Sequence, residues 1–314
     1  MSDQEIKQKA LSARCAYQLA DVEKTAPQFI SITPRWVSRF LDWKPLESGI
    51  FRLNKVKDGE ALLDILCSQA NGEDIPEGFI DYEPAPREIL LTSVSSIIKM
   101  ETRVSDIYSK PYDQVKEQIR LGMESIKEKQ ESLIINSDDY GLLKNIGDSQ
   151  RLKSRSGYPT PDELDGLIAK VWKEPSFFLA HPLAIAAFAR ECTRRGVPPV
   201  AVTMYGATFL AWRGIPLVPT DKLLVDGVKK PKGDSGKTNI LLIRSGEQKQ
   251  GVIGLYQAGL PGEQSMGLSV RFMGIDNRGI GFYLLSIYCS VAILAEDAIA
   301  VLEDVDIGHY YDYQ

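Results

Sequence analysis

Residues 172–221 read WKEPSFFLAHPLAIAAFARECTRRGVPPVAVTMYGATFLAWRGIPLVPTD. An apolar helix near Pro182–Arg195 ends in the cationic pair Arg194-Arg195, and Gly196 and Pro198 follow. Positive charge at a helix's negative pole, then glycine and proline, is a stop signal. A strand pair then breaks at Trp212-Arg213-Gly214. Upstream, Thr160-Pro161-Asp162-Glu163 combines an N-cap, a proline at the first helical position and a capping-box glutamate. The helix it opens carries Leu164, Leu167, Ile168, Val171 and Trp172. From Tyr205 onward the chain is mostly strands: ATFLAW, IPLV, NILLIR, GVIGLY and LSVRF. Helices mixed with a segregated antiparallel sheet predict an α+β chain. No internal repeat is visible.

The first half supplies longer pieces. A helix is expected over residues 3–22, where Ser2-Asp3-Gln4-Glu5 opens a thin apolar stripe. A second short helix should start after Thr33, with Pro34 at its first position. Trp36, Phe40 and Trp43 would then share one face. They either join the core of their own domain or dock on a neighbouring subunit, since such a face needs a partner surface. Residues 68–87 are rich in turn-forming types, and Ile98, Met100, Thr102 and Val104 then alternate with polar residues as extended chain. The longest helix is expected over Tyr112–Leu133. Val115, Ile119, Met123, Ile126 and Leu133 line its apolar face, and Arg120/Glu124 and Lys127/Glu131 pair on the exposed side. Residues 136–159 are polar and irregular.

A chain of 314 residues with 44% hydrophobic and 25% charged residues is an ordinary globular composition. Its net charge of -5 argues against nucleic-acid binding, which needs clustered Lys and Arg. Cys15, Cys67, Cys192 and Cys289 lie far apart, as buried free thiols would. That usage, with no signal-peptide pattern in MSDQEIKQKALSARC, points to the reducing cytoplasm. Gly279–Ala295 imitates a membrane span, but 17 residues fall short of the roughly 20 needed. Its β-branched and aromatic content reads better as a buried strand preceded by a short helical or loop piece.

No catalytic, cofactor-binding or metal-ligating set emerges. Gly233-Asp234-Ser235-Gly236-Lys237-Thr238 ends like a phosphate-binding loop, but Pro231 replaces the first glycine and a strand, not a helix, follows. His181 and His309 lack partners at metal-ligand spacing. GEQSMGLS misses the nucleophile-elbow pattern, and Gly279-Ile280-Gly281 lacks a third glycine. Asp138-Asp139 and Glu303-Asp304 read as solvated charges rather than a catalytic dyad. No enzyme class survives. Lys229-Lys230-Pro231-Lys232 reads as a solvated hairpin tip.

ITPRW at 32–36, RVSDIYS at 103–109, KEKQES at 127–132, GEQSMGLSVRFMGI at 262–275 and VLEDVDIG at 301–308 span nearly the whole chain. Together with residues 172–221, their number and order resemble the shell proteins of encapsulins, in particular family 2A. The resemblance implies the tailed-phage major capsid fold of the Hong Kong 97 type. Its parts would be an N-terminal arm over 1–60, a peripheral domain over 61–137 and 266–314, and an axial domain over 138–265. The extended loop would cover about 78–108 and the spine helix 112–133. The implied function is a non-enzymatic, icosahedral nanocompartment in the cytoplasm, about sixty copies in its simplest closure. Its implied cargo is a cysteine desulfurase of sulfur metabolism, held through a disordered N-terminal extension. Pyridoxal phosphate would sit on that cargo and not on this chain. The chain has no inserted cyclic-nucleotide-binding domain, which favours the A branch. In such a shell, Trp36, Phe40 and Trp43 become inter-subunit arm contacts. Lys229, Lys230 and Lys232, or Arg195 and Pro198, become pore-loop candidates, because a ring of like charges multiplies one residue's field. No short motif marks the cargo-binding residues. The alternative is a phage or prophage major capsid protein enclosing DNA.

Overall fold

The structure is a computed structural model and describes residues 33–57, 78–101, 114–226 and 236–310. The helix expected over 3–22, the thiols Cys15 and Cys67, and Lys229, Lys230 and Lys232 lie outside those ranges.

The short helix α1 covers only Trp36–Phe40, with Arg35 rather than Pro34 at its boundary, in the left-handed region at φ 50°. Leu41 is already extended, and β1 (Asp42–Leu46) follows. Pro45 favours extended chain before it and suits the sheet edge where β1 lies. Trp43 therefore sits on a strand, off the helical face expected for it. Next come β2 (Ile50–Leu53), β3 (Arg87–Leu90), β4 (Thr92–Glu101), the long helix α2 (Gln114–Asn136) and β5 (Arg151–Lys153). α3 (Pro161–Lys170) opens with the expected reciprocal cap, the Thr160 side chain accepting from the Glu163 N–H while the Glu163 carboxylate accepts from the Thr160 N–H. α3 stops at Lys170, so Trp172, expected on its apolar face, is exposed. β6 (Phe177–Ala180) and α4 (Pro182–Arg194) lead to β7 (Val200–Met204), β8 (Ala207–Trp212) and β9 (Ile215–Pro219). Arg213 and Gly214, at φ 51° and 84°, make the two-residue turn between β8 and β9. The rest is β10 (Lys237–Ile243), β11 (Val252–Gln257), β12 (Glu263–Ser265), β13 (Leu268–Ile275), β14 (Ile280–Ile293) and β15 (Ile299–Asp306). β14 is strand throughout, without the helical or loop piece expected at its start.

The strands build two large sheets rather than one segregated antiparallel sheet. A seven-stranded sheet has the order β5-β15-β10-β6-β9-β8-β7. A six-stranded sheet runs β1-β11-β14-β13-β12, with β4 also paired along β14. Three pairs are parallel: β1–β11, β5–β15 and β6–β9. Strands from both sides of residue 265, where the axial part was expected to end, share each sheet. β11 belongs with β14, and the chain returns to the seven-stranded sheet through β15. The arm expected over 1–60 also contributes β1 to the six-stranded sheet.

The continuous apolar runs have a simple cause: the seven-stranded sheet is covered on both faces. In β6, Phe177 and Leu179 join one core cluster while Phe178 and Ala180 join the other. β10 divides likewise, with Leu241 and Ile243 on one side and Ile240 and Leu242 on the other. α3 and α4 cover the second face through Leu164, Leu167, Ala184 and Phe188. On the first face lie α1 and the end of α2, through Trp36, Phe40, Ile134 and Ile135.

Candidate functional site

A dense polar junction lies where the segment from Thr33 to Phe40 meets α2. Glu124, Glu128 and Glu131 are spaced four and three apart, which puts them on one helical face. The Glu128 carboxylate accepts from the Thr33 N–H at 2.9 Å and the Thr33 hydroxyl at 2.8 Å. Lys222 Nζ donates to its other oxygen at 2.7 Å. Arg35 forms an ion pair with Glu124 and approaches Glu128 at 3.6 Å. Glu131 Oε1 accepts from the Val37 N–H at 3.1 Å. Asn136 Nδ2 donates to the Lys222 carbonyl at 2.8 Å and ties the 220–223 loop to the same helix. Glu131 is 1% exposed, which corrects the expected surface pair with Lys127, and Glu124 faces Arg35 instead of Arg120.

The junction splits the behaviour of its carboxylates. Burial works against the charge of Glu128, but the hydrogen bonds from Lys222 and Thr33 prevail and hold it below the usual carboxylate range. Glu131 is pushed up to about 7, first by burial and also by the nearby charge of Glu128.

Below this junction, the rings of Trp36 and Phe40 pack into their own chain. Phe40 lies 5.0 Å from both Phe177 and Tyr205, and Trp36 lies 5.0 Å from Phe209, measured between ring centroids. With Trp36 9% and Phe40 8% exposed, these side chains are core residues of their own chain, the first of the two expected roles. The half-buried Trp43 packs against the same core and donates its indole N–H to the Ser38 carbonyl at 2.8 Å. Gly254 faces that indole, and a Cβ there would lie 2.6 Å from the ring. A second buried charge links the sheets. Arg244, 1% exposed, donates to Asp297 at 2.7 Å, and Lys173 reaches the same carboxylate at 3.1 Å.

The two pore-loop candidates separate. Arg195 closes α4, pairs with Asp162 at 2.9 Å, and leads through Pro198 into the start of β7. Lys229, Lys230 and Lys232 belong to the connection between Asp226 and Lys237, which pair with each other at the start of β10. Following the registers from β7 through β8, β9 and β6 to β10 puts the start of β7 and the start of β10 at opposite ends of the sheet. Gly236-Lys237-Thr238 runs into β10, so the helix that a phosphate-binding loop requires does not follow. His181 caps α4, its Nδ1 accepting from the Leu183 N–H at 3.2 Å. Cys192 and Cys289 are buried free thiols, each raised to about 11 by burial. Among the described residues no group of His, Cys, Asp and Glu could hold a metal, and no helix is long and apolar enough to cross a membrane.

The acidic stripe was the signal sequence reading missed. Three glutamates along one helical face repel one another unless cations and donors cover them. Thr33-Pro34-Arg35 and Lys222 are that cover.

Two sheets flanked by a long helix, with β4 extended along β14, form the tailed-phage major capsid fold of the Hong Kong 97 type. The chain is similar to the capsid of an empty GTA particle, with TM-score 0.62 at 11% identity over 94% of this chain and 100% of that one. It is similar also to a chain of Microbacterium phage Oxtober96, with TM-score 0.57 at 9% identity over 93% of this chain and 98% of that one. At such identities the likeness shows the fold alone.

The chain belongs to the family of type 2A encapsulin shell proteins. The family model described as "Type 2A encapsulin shell protein SrpI-like" matches residues 51–309. The chain is 53% identical to the type 2A encapsulin shell protein SrpI of Synechococcus elongatus, over 98% of this chain and 97% of that protein. It is 48% identical to a type 2A encapsulin shell protein of Mycolicibacterium paratuberculosis over the full length of both. The cryo-EM structure of the holo-SrpI encapsulin complex from Synechococcus elongatus matches with TM-score 0.83 at 52% identity, over 97% of this chain and 99% of that one. The chain is thus a shell subunit of a nanocompartment, and the phage-capsid alternative gives way to that family.

Proposed function

We propose that about sixty copies of this chain close into an icosahedral shell in the cytoplasm, the simplest closure open to a capsid fold. The observation that carries this is the match to the holo-SrpI encapsulin complex over nearly the whole chain. The shell itself catalyses nothing. Its cargo is a cysteine desulfurase, held through a disordered N-terminal extension and carrying the pyridoxal phosphate. The family resemblance supports this cargo. Of the two pore loops, Lys229, Lys230 and Lys232 are the stronger candidate, because Arg195 is already neutralised by Asp162 and Glu191 of its own chain. Mass spectrometry of particles purified from the native host tests the cargo. A pyridoxal-phosphate-dependent desulfurase should co-purify in amounts that survive high salt. Particles holding a different enzyme would overturn the cargo assignment, and particles holding DNA would restore the capsid reading.

A further inference from the structure

Glu131 is the one member of the three-glutamate face whose charge is not matched. Its Oε1 accepts from the Val37 N–H, but its Oε2 is buried without any hydrogen-bond partner. The charged groups around it come from three elements. Arg35 and Arg39 belong to the α1 segment, Glu124, Lys127 and Glu128 to α2, and Asp221 and Lys222 to the adjoining loop. Of these cations Arg35 holds Glu124, Lys222 lies between Glu128 and Asp221, and Arg39 lies over the Trp36 ring, while the half-buried Lys127 forms no ion pair with Glu131. A buried carboxylate with an unmatched charge costs far more than a neutral one.

We propose that the seating of Thr33–Phe40 on α2 is proton-linked, with Glu131 taking up a proton when the segment seats and releasing it when the segment lifts. Lifting exposes Glu131 to water and returns it toward its ordinary value of 4.5, whereas seated it lies at about 7. The seated form is therefore favoured at low pH and loses that advantage as pH rises through 7. Between pH 5 and pH 8 the seating equilibrium should weaken on the order of a hundredfold by linkage. Neighbouring pairs respond differently. Glu128 is held low by its partners and stays charged across this window.

Hydrogen exchange of the assembled shell, divided by the intrinsic rate at each pH, tests this. Protection of the amides over residues 36–41 should fall more than about tenfold from pH 5 to pH 8. That of β10 should stay level. In Glu131→Gln, protection should be nearly independent of pH, because the amide oxygen can still accept from Val37 and no charge develops. A flat wild-type profile, or a parallel fall in the variant, would overturn the proposal. Should Glu131→Gln fail to assemble, Asp221→Asn replaces it, acting on an exposed side chain whose charge raises Glu131. The midpoint of the fall should then move to lower pH, and a midpoint unmoved or raised counts against Glu131.

Discussion

Phe40→Ala is expected to lower the stability of the subunit by about 3–5 kcal/mol, the usual cost of emptying a buried phenylalanine site. The ring touches Phe177 of β6, Phe209 of β8 and Tyr205 of the turn between β7 and β8. It therefore pins the N-terminal segment to the seven-stranded sheet, and its neighbours cannot collapse without moving backbone. Thermal unfolding followed by both light scattering and tryptophan fluorescence separates the two roles of such a residue. A core role lowers both transitions together. If scattering reported shell loss while the fluorescence transition stayed in place, Phe40 would act between subunits.

Asp297→Ala should be as damaging, at about 3–5 kcal/mol, because it strands a guanidinium that water does not reach. Arg244 lies in the crossing from β10 to β11, and Asp297 lies in the crossing from β14 to β15. The ion pair thus joins the two places where the chain passes between its sheets. Arg244→Met should cost less, since it removes the charge and keeps apolar bulk. Denaturant unfolding of both variants gives the ordering, and a larger loss in Arg244→Met would contradict it. The pH response is opposite to that of Glu131. Arg244 first, then Lys173, hold Asp297 below the ordinary aspartate value of 3.8. Its stabilisation is complete above that value and is lost as pH falls through the lowered one.

Local signals in the sequence were faithful where a short stretch decides its own structure. The Thr160 cap, the stop after Arg194, and the turn at Arg213-Gly214 all depend on groups within a few residues. Periodicity also located α2 and the run of strands. It could not show which sheet a strand joins, because the apolar runs VIGLY of β11 and IAVL of β15 do not tell their partners, which lie far away in the chain. The charged face of α2 misled for a related reason. Glu131 and Lys127 have the spacing of a surface pair, but Val37, 94 residues earlier in the chain, packs its N–H onto the Glu131 carboxylate. Trp36 and Phe40 looked like an arm without a core, since that core is supplied by Phe177 and Phe209, more than a hundred residues away.

Cryo-electron microscopy of the purified particle, with its mass measured in solution, tests the central claim most directly. The fold and family predict a closed icosahedral shell of megadalton mass. In each subunit Trp36 and Phe40 should be packed against Phe209 of the same chain. A monodisperse dimer or tetramer at micromolar concentration would contradict the account.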